Sequence, residues 1–383
     1  MAPPRFMFIA GETSGDLLAS ELIAALRARR PSNTAEPSFF GAGGRQMTAA
    51  GVDVVLDLTQ HAVIGIWEVL VNYLQFRRLF HQLVDVAVER RPDVIVCVDF
   101  SGFNRRFGHA IRRRQKSVDG WAPKIIQFVS PQVWASRPDR AVKMARDFDL
   151  LLSIFPFEKP WYEKHVPAMR VEFVGHPLLD RFTPPRPASP PKGSPGHRVL
   201  LLPGSRPGEL RRHLPVMAAA AQLIREKYAV DFCLVVPGEE LRAVAQELTQ
   251  SVAGLKLQVG GLADALAEST VALASTGTVT MECALFKVPT VTMYRTNWLT
   301  YEIGRRIVTV KSLTMPNLLA GETVFPEFIQ NEATPRQIAD AALALLESEE
   351  RREAIRKQLD SILEKLGGPG ACVRAADLIW KLR

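Results

Sequence analysis

Between Arg181 and His197 the chain reads RFTPPRPASPPKGSPGH, with six prolines and two glycines in seventeen residues. Each proline fixes φ and removes an amide donor, so neither a helix nor a central strand can run through the stretch. It reads as a stiff linker that cuts the chain into halves with separate cores, and 383 residues leave room for both.

The two halves share one grammar. Short apolar or β-branched runs alternate with amphipathic helical stretches, the pattern of parallel sheets covered by helices. In the first half the expected strands are 6–10, 38–40, 93–100, 124–129, 150–155 and 171–175; in the second they are 198–203, 231–237, 255–259, 270–275 and 289–294. The expected fold class is α/β, with two Rossmann-like doubly wound domains at 1–180 and 198–345, joined by the 181–197 linker. Residues 346–383 read as charged amphipathic helices that pack back on the domains. Ligands of open α/β sheets bind beyond the carboxyl ends of the strands, which places the expected site in a cleft between the two domains.

Composition narrows the partners. Apolar residues make up 47% and charged residues 23%, as in globular proteins. Forty-eight Lys and Arg against 40 Asp and Glu give a net charge of +8, which suits phosphorylated substrates, acidic lipid or nucleic acid without choosing among them. The four cysteines, Cys97, Cys233, Cys283 and Cys372, lie far apart, mostly in apolar runs, and read as buried thiols of a reducing compartment. The N-terminal apolar run is too short for a secretion signal. The long apolar stretch His61 to Phe80 carries Glu68, Asn72, Gln75, Arg77 and Arg78, which a spanning helix would have to bury. It reads either as a core helix or as an interfacial one that shows Ile66, Trp67, Leu70 and Leu74 to a bilayer or acyl chain.

Each half opens with a strand, a Gly-containing loop and a helix: FMFIAGETSGDLL and RVLLLPGSRPGEL. In the second, Gly204 permits a tight turn and Ser205 and Arg206 add a hydroxyl and a planar cationic fork suited to a diphosphate. LASTGTVTME repeats the arrangement with Gly277 and Thr278, and Glu282 one turn into the helix suits two vicinal ribose hydroxyls. FFGAGGR lacks the third glycine and the acidic residue of a dinucleotide loop. Asp147 and Asp149 form a D-x-D, but they lead straight into a strand and read as a polar strand entry, so no metal site is expected. VCVDFSGFN ends an apolar strand on Asp99, a general-base candidate beside Gly102, with helix capping as the alternative role. His176, past the strand at 171–175, is the other ionisable candidate.

These blocks together make the chain resemble the lipid-A-disaccharide synthase family of glycosyltransferases. GETSGD (11–16), IGIWEVL (64–70), RPDVIVCVDFSGFN (91–104), VSPQVWA (129–135), FPFE (155–158), VGHPL (174–178), LLPGSRPGE (201–209), STGTVTME (275–282) and MPNLLAG (315–321) appear in family order. Ser136 departs, standing where many relatives carry a second Trp. The resemblance implies a GT-B fold and a metal-independent, cofactor-free, inverting transfer from UDP-2,3-diacylglucosamine to 2,3-diacylglucosamine 1-phosphate. Gly11, Glu12, Ser14 and Gly15 fall in its first substrate loop, and Asp99 stands at its proposed base. Arg206, Glu282 and Asn317 stand at its nucleotide-side contacts. It also implies a cytoplasmic protein held peripherally on the anionic inner-membrane surface, without a nucleic-acid partner and with a homo-oligomer left open. The rival readings are another UDP-sugar enzyme of this fold, a peptidoglycan N-acetylglucosaminyltransferase or a UDP-N-acetylglucosamine 2-epimerase, and a non-catalytic two-lobed sugar-binding protein.

Overall fold

The computed structural model describes residues 3–59, 73–182, 196–250 and 252–383. They divide into two compact units, Met1–Arg181 with Leu366–Arg383, and Phe182–Lys365.

The first unit is built on seven strands: β1 (Arg5–Ala10), β2 (Ser38–Gly43), β3 (Asp53–Asp57), β4 (Val94–Val98), β5 (Lys124–Phe128), β6 (Leu150–Ser153) and β7 (Val171–Phe173). All pair in parallel, in the order β3-β2-β1-β4-β5-β6-β7. Residues 6–10 of β1 and the whole of β4 are buried, because parallel strands covered on both faces have no solvent side, and they read as unbroken apolar runs for that reason. The last helix of the chain, Ala371–Leu382, belongs to this unit. The Asp180 carboxylate accepts from the amides of Gly370, Ala371 and Cys372, which satisfies its N-terminal donors. Near its other end, the Trp380 indole donates to the Leu26 carbonyl at 3.0 Å and meets Phe6 edge-on at 5.3 Å.

The second unit holds β8 (His197–Leu202), β9 (Val230–Val236), β10 (Leu255–Val259), β11 (Val271–Ser275), β12 (Thr290–Tyr294) and β13 (Glu327–Ile329), again all parallel, in the order β10-β9-β8-β11-β12-β13. Alternate residues feed two separate cores. Val199, Leu201, Phe232, Leu234 and Leu273 pack with the helices Pro207–Lys227 and Pro335–Leu346. Leu200, Leu202, Val235 and Ala274 pack on the other face with Phe325, Leu359 and Ile362. A strand with period 2 and apolar residues at both phases needs cover on both sides, and the helices supply it.

Two strands go beyond those expected, β3 and β13. Both are edge strands of intermediate burial and mixed polarity, so neither has the apolar run that marks an interior strand. The four cysteines are buried and unpaired. Among the described residues no helix is long and apolar enough to cross a membrane. Ile66, Trp67 and Leu70 lie outside the described residues, as does the side chain of Leu74 at the start of the helix Tyr73–Arg90.

Candidate active site

Each sheet has one place where the strand order reverses. In the first unit it lies between β1 and β4, and in the second between β8 and β11. Crossovers leave such a point on opposite faces, so a crevice opens at the carboxyl ends of the two strands. GETSGD follows β1 and Asp99 follows β4; PGSR follows β8 and STGT follows β11. Four loops singled out for their residue types therefore fall at the two positions where topology makes a crevice.

At the first switch point the backbone turns sharply. Asp99 and Phe100 both take left-handed conformations, φ 49° and 39°, which cost a non-glycine residue on the order of 1 to 3 kcal/mol each. Two buried amides hold the turn. Asn104 Nδ2 donates to the Asp99 carbonyl at 2.6 Å, and Gln127 Nε2 donates to the same oxygen at 3.0 Å and to Val129 O at 3.1 Å. Val129 is itself left-handed, φ 71°, so one glutamine braces the turns after β4 and β5. Gln127 is 1% exposed and Asn104 fully buried.

Gly11 is required here, since a Cβ at that position would lie 2.2 Å from the Phe100 ring. Gly15 Cβ would sit 3.7 Å from Asp99 Cβ, in ordinary contact, and Ser14 is exposed on the same turn. Burial raises the Asp99 pKa, the nearby Glu12 charge raises it further, and a hydrogen bond from the Phe100 amide opposes both. A carboxylate held up in this way is a better proton acceptor than a solvated one. Asp99 does not cap the following helix, whose N-cap is Phe100. The last residue of GETSGD serves the scaffold: Asp16 is buried and accepts from Gly44, Gln46 and Met47 amides at 2.7, 2.8 and 3.2 Å.

Beside this turn, VSPQVWA and FPFE meet through a buried carboxylate. Glu158 accepts from the Trp134 indole at 3.1 Å and from the Phe155 amide at 3.2 Å, and Trp134 packs edge-on against Phe157 at 4.8 Å. Burial pushes the Glu158 pKa up to about 7, against the pull of these donors. A carboxyl with a raised folded-state pKa favours folding below its unfolded value and loses that contribution as pH rises through the folded one. Glu158 should therefore lower wild-type stability between about pH 4.5 and 7, by up to about 3 kcal/mol. Thermal unfolding at pH 5 and pH 7.5 checks this: Glu158→Gln should shrink the difference in Tm, and an unchanged difference would show that Glu158 is not the titrating group.

His176 is a poor base. Its ring is buried against Phe155, its Nδ1 accepts from the Leu178 amide at 3.2 Å, and burial, aided by Arg181, lowers its pKa to about 4. It follows β7, three strands from β4, which is roughly 14 Å at the usual strand spacing.

In the second unit Gly204 is left-handed, φ 123°, and starts the turn into the helix Pro207–Lys227. The Ser205 amide donates to Glu209 Oε2 at 2.9 Å, and Arg206 lies 4.0 Å from the other Glu209 oxygen with its side chain 60% exposed. Buried His213 ties the loop down through Pro203 O at 2.7 Å and accepts from the Arg295 amide at 3.1 Å. Gly277 and Thr278 are exposed ahead of the short helix Val279–Leu285, and Glu282 is half-buried in its first turn.

Asn317 has a different place. It is 2% exposed, its Nδ2 donates to Phe325 O and Glu327 Oε1 at 2.8 and 2.7 Å, and its Oδ1 accepts from the Val324 and Phe325 amides at 2.8 Å. Its amide is fully engaged inside the 314–327 loop, so it shapes that loop rather than offering a contact.

The D-x-D carboxylates are also engaged. Asp149 Oδ2 accepts from Arg112 at 2.5 Å and from the Ile125 amide at 2.7 Å, and Asp147 lies 3.3 Å from His109. Among the described residues no three His, Cys, Asp or Glu side chains gather as a metal-ligand set.

Gln127 and Asn104 were not among the expected site residues. A lone glutamine inside the apolar run KIIQFV was the available signal, since a polar side chain in a buried strand must find buried partners.

A family model described as lipid-A-disaccharide synthetase matches residues 6–380 of the chain. A lipid-A-disaccharide synthase of Geobacter metallireducens is 36% identical over 99% of this chain and 97% of its own length. One of Geobacter sulfurreducens is 35% identical with the same coverage. Among solved structures, a putative UDP-N-acetylglucosamine 2-epimerase from Listeria monocytogenes superposes with a TM-score of 0.63 at 16% identity, covering 99% of this chain and 95% of that one. The calicheamicin glycosyltransferase CalG4 gives 0.61 at 17%, covering 100% and 98%. The two-domain GT-B fold is shared with these structures.

Proposed function

The chain belongs to the lipid-A-disaccharide synthetase family, and from that premise we propose how its residues carry out the transfer. It is a glycosyltransferase of lipid A biosynthesis. The donor is UDP-2,3-diacylglucosamine, the acceptor is 2,3-diacylglucosamine 1-phosphate, and the products are the lipid A disaccharide 1-phosphate and UDP. Asp99 takes the proton from the acceptor 6-hydroxyl, whose oxygen attacks C1 of the donor sugar as the bond to the UDP oxygen breaks, inverting that centre. Gly11, Glu12, Ser14 and Gly15 line the acceptor side. Arg206, with Ser205, Gly204 and the loop at Gly277 and Thr278, stabilises the departing diphosphate, and Glu282 takes the ribose hydroxyls. Asn317 acts through the loop it shapes.

The observation that carries this reading is the coincidence of the motif loops with both topological switch points, with a strained, raised-pKa carboxylate at one and an exposed arginine at the other. The UDP-N-acetylglucosamine 2-epimerase and N-acetylglucosaminyltransferase readings rest on fold likeness at 12 to 16% identity, whereas relatives at 33 to 36% over nearly the whole chain carry one name. Amphiphilic substrates and the +8 charge also support peripheral attachment to the anionic cytoplasmic face of the inner membrane, with Ile66, Trp67, Leu70 and Leu74 as the acyl- or bilayer-facing residues.

UDP release tests the reading. With 2,3-diacylglucosamine 1-phosphate as acceptor, removing the donor's acyl chains should lower kcat/KM by about tenfold or more, since each buried methylene is worth about 0.8 kcal/mol. Equal turnover of the deacylated donor would sink the acyl-sugar assignment.

A further inference from the structure

The helix Ser101–Gln115 starts immediately after Asp99 and Phe100, and the helix Asp139–Asp147 follows β5, the neighbour of β4, after the short 3-10 helix Gln132–Ala135. Both begin at the carboxyl edge of the sheet and run back along it side by side. Their facing register is set at the far end, where His109 reaches Asp147 at 3.3 Å and Arg112 reaches Asp147 O at 3.0 Å and Asp149 at 2.5 Å. Residues 105, 109 and 112 share one helix face, so Arg105 stands one turn back from the His109–Asp147 contact, and its charge reaches Arg140, about one turn nearer the start of the second helix. Arg106 and Arg137 flank them.

Arginines farther along the first helix have carboxylate partners: Arg112 pairs with Asp149 and Arg114 with Asp85. Arg105, Arg106, Arg137 and Arg140 form no ion pair among the described residues. Partial burial draws the Arg140 pKa down first, then the charges of Arg137 and Arg105, opposed by Asp139, with Arg106 adding to the decrease. Like charges held together against their own repulsion, at the strand-end edge where ligands bind, make a receptor for a compact multivalent anion.

We propose that Arg105, Arg106, Arg137 and Arg140 bind the phosphate monoester of the acceptor. Arg105 stands roughly 8 Å along its helix from the turn that carries Asp99, so with the reach of its side chain one sugar can offer its hydroxyl to the carboxylate and its anomeric phosphate to the guanidinium forks. A monoester carries nearly two negative charges and three terminal oxygens, which suits several forks at once. The inference rests on the acceptor named above.

The test compares 2,3-diacylglucosamine 1-phosphate with its phosphate-free counterpart in detergent micelles. Wild type should show an acceptor KM at least tenfold lower for the phosphorylated form. Arg105→Gln/Arg140→Gln should bring that ratio close to one while leaving donor KM within about twofold, and Arg140→Lys should restore part of it. The exposed single variant Arg106→Gln gives the same reading without disturbing the helix contact. Full discrimination in folded variants overturns the proposal. So does an unchanged acceptor KM with weaker sedimentation on phosphatidylglycerol vesicles, which assigns the cluster to the lipid surface. If wild type turns over neither acceptor, the function proposed above fails instead.

Discussion

Replacing Asp99 with Asn should lower kcat by roughly a hundred- to ten-thousandfold, the range attributed to positioned bases, while donor affinity and fold persist. Asn is nearly isosteric, and the Asp99 carbonyl keeps its bonds from Asn104 and Gln127, because these are made to backbone. The same substitution should raise Tm at neutral pH. Burial and Glu12 lift the Asp99 pKa in the folded state, so its contribution to stability is present below the unfolded pKa and is lost as pH rises through the folded one. Asn carries no charge and escapes that cost. The acidic limb of the kcat profile should sit above the usual carboxylate range, and Glu12→Gln, by removing a like charge, should move it to lower pH. A variant that turns over normally, or loses donor affinity in step with rate, would make Asp99 a structural or binding residue.

Much of this architecture is legible in the chain because burial on both faces forces continuous apolar runs, as in VIVCV and RVLLL. The edges are less legible. DVVLD and EFI are half-exposed at the rims of their sheets, so no periodicity distinguishes them from loops. Residue types at strand ends single out Asp99 and Arg206 as candidates, since a carboxylate or guanidinium after an apolar strand is conspicuous. What they touch is not written locally. Asp16 finds its donors 28 to 31 residues away, and Asn317 looks like a ligand contact until the turn at Val324 and Phe325 occupies both sides of its amide.

Arg206 should be the second large effect, with Arg206→Ala lowering kcat by about a hundredfold or more, the scale of losing one donor aimed at developing charge. The loop explains why so much falls on one side chain. The Ser205 amide already donates to Glu209, so one backbone donor of this loop is engaged. Arg206 stays 60% exposed at 4.0 Å from the same carboxylate, close enough to be oriented and loose enough to turn toward a stronger anion. An ion pair this exposed is worth little, typically about 0 to 1 kcal/mol. Arg206→Lys should recover part of the rate, because a point charge replaces the field but not the bidentate fork. EDTA should leave wild-type turnover intact. If chelation abolishes activity and Arg206→Ala retains it, a metal ion rather than this arginine neutralises the departing UDP.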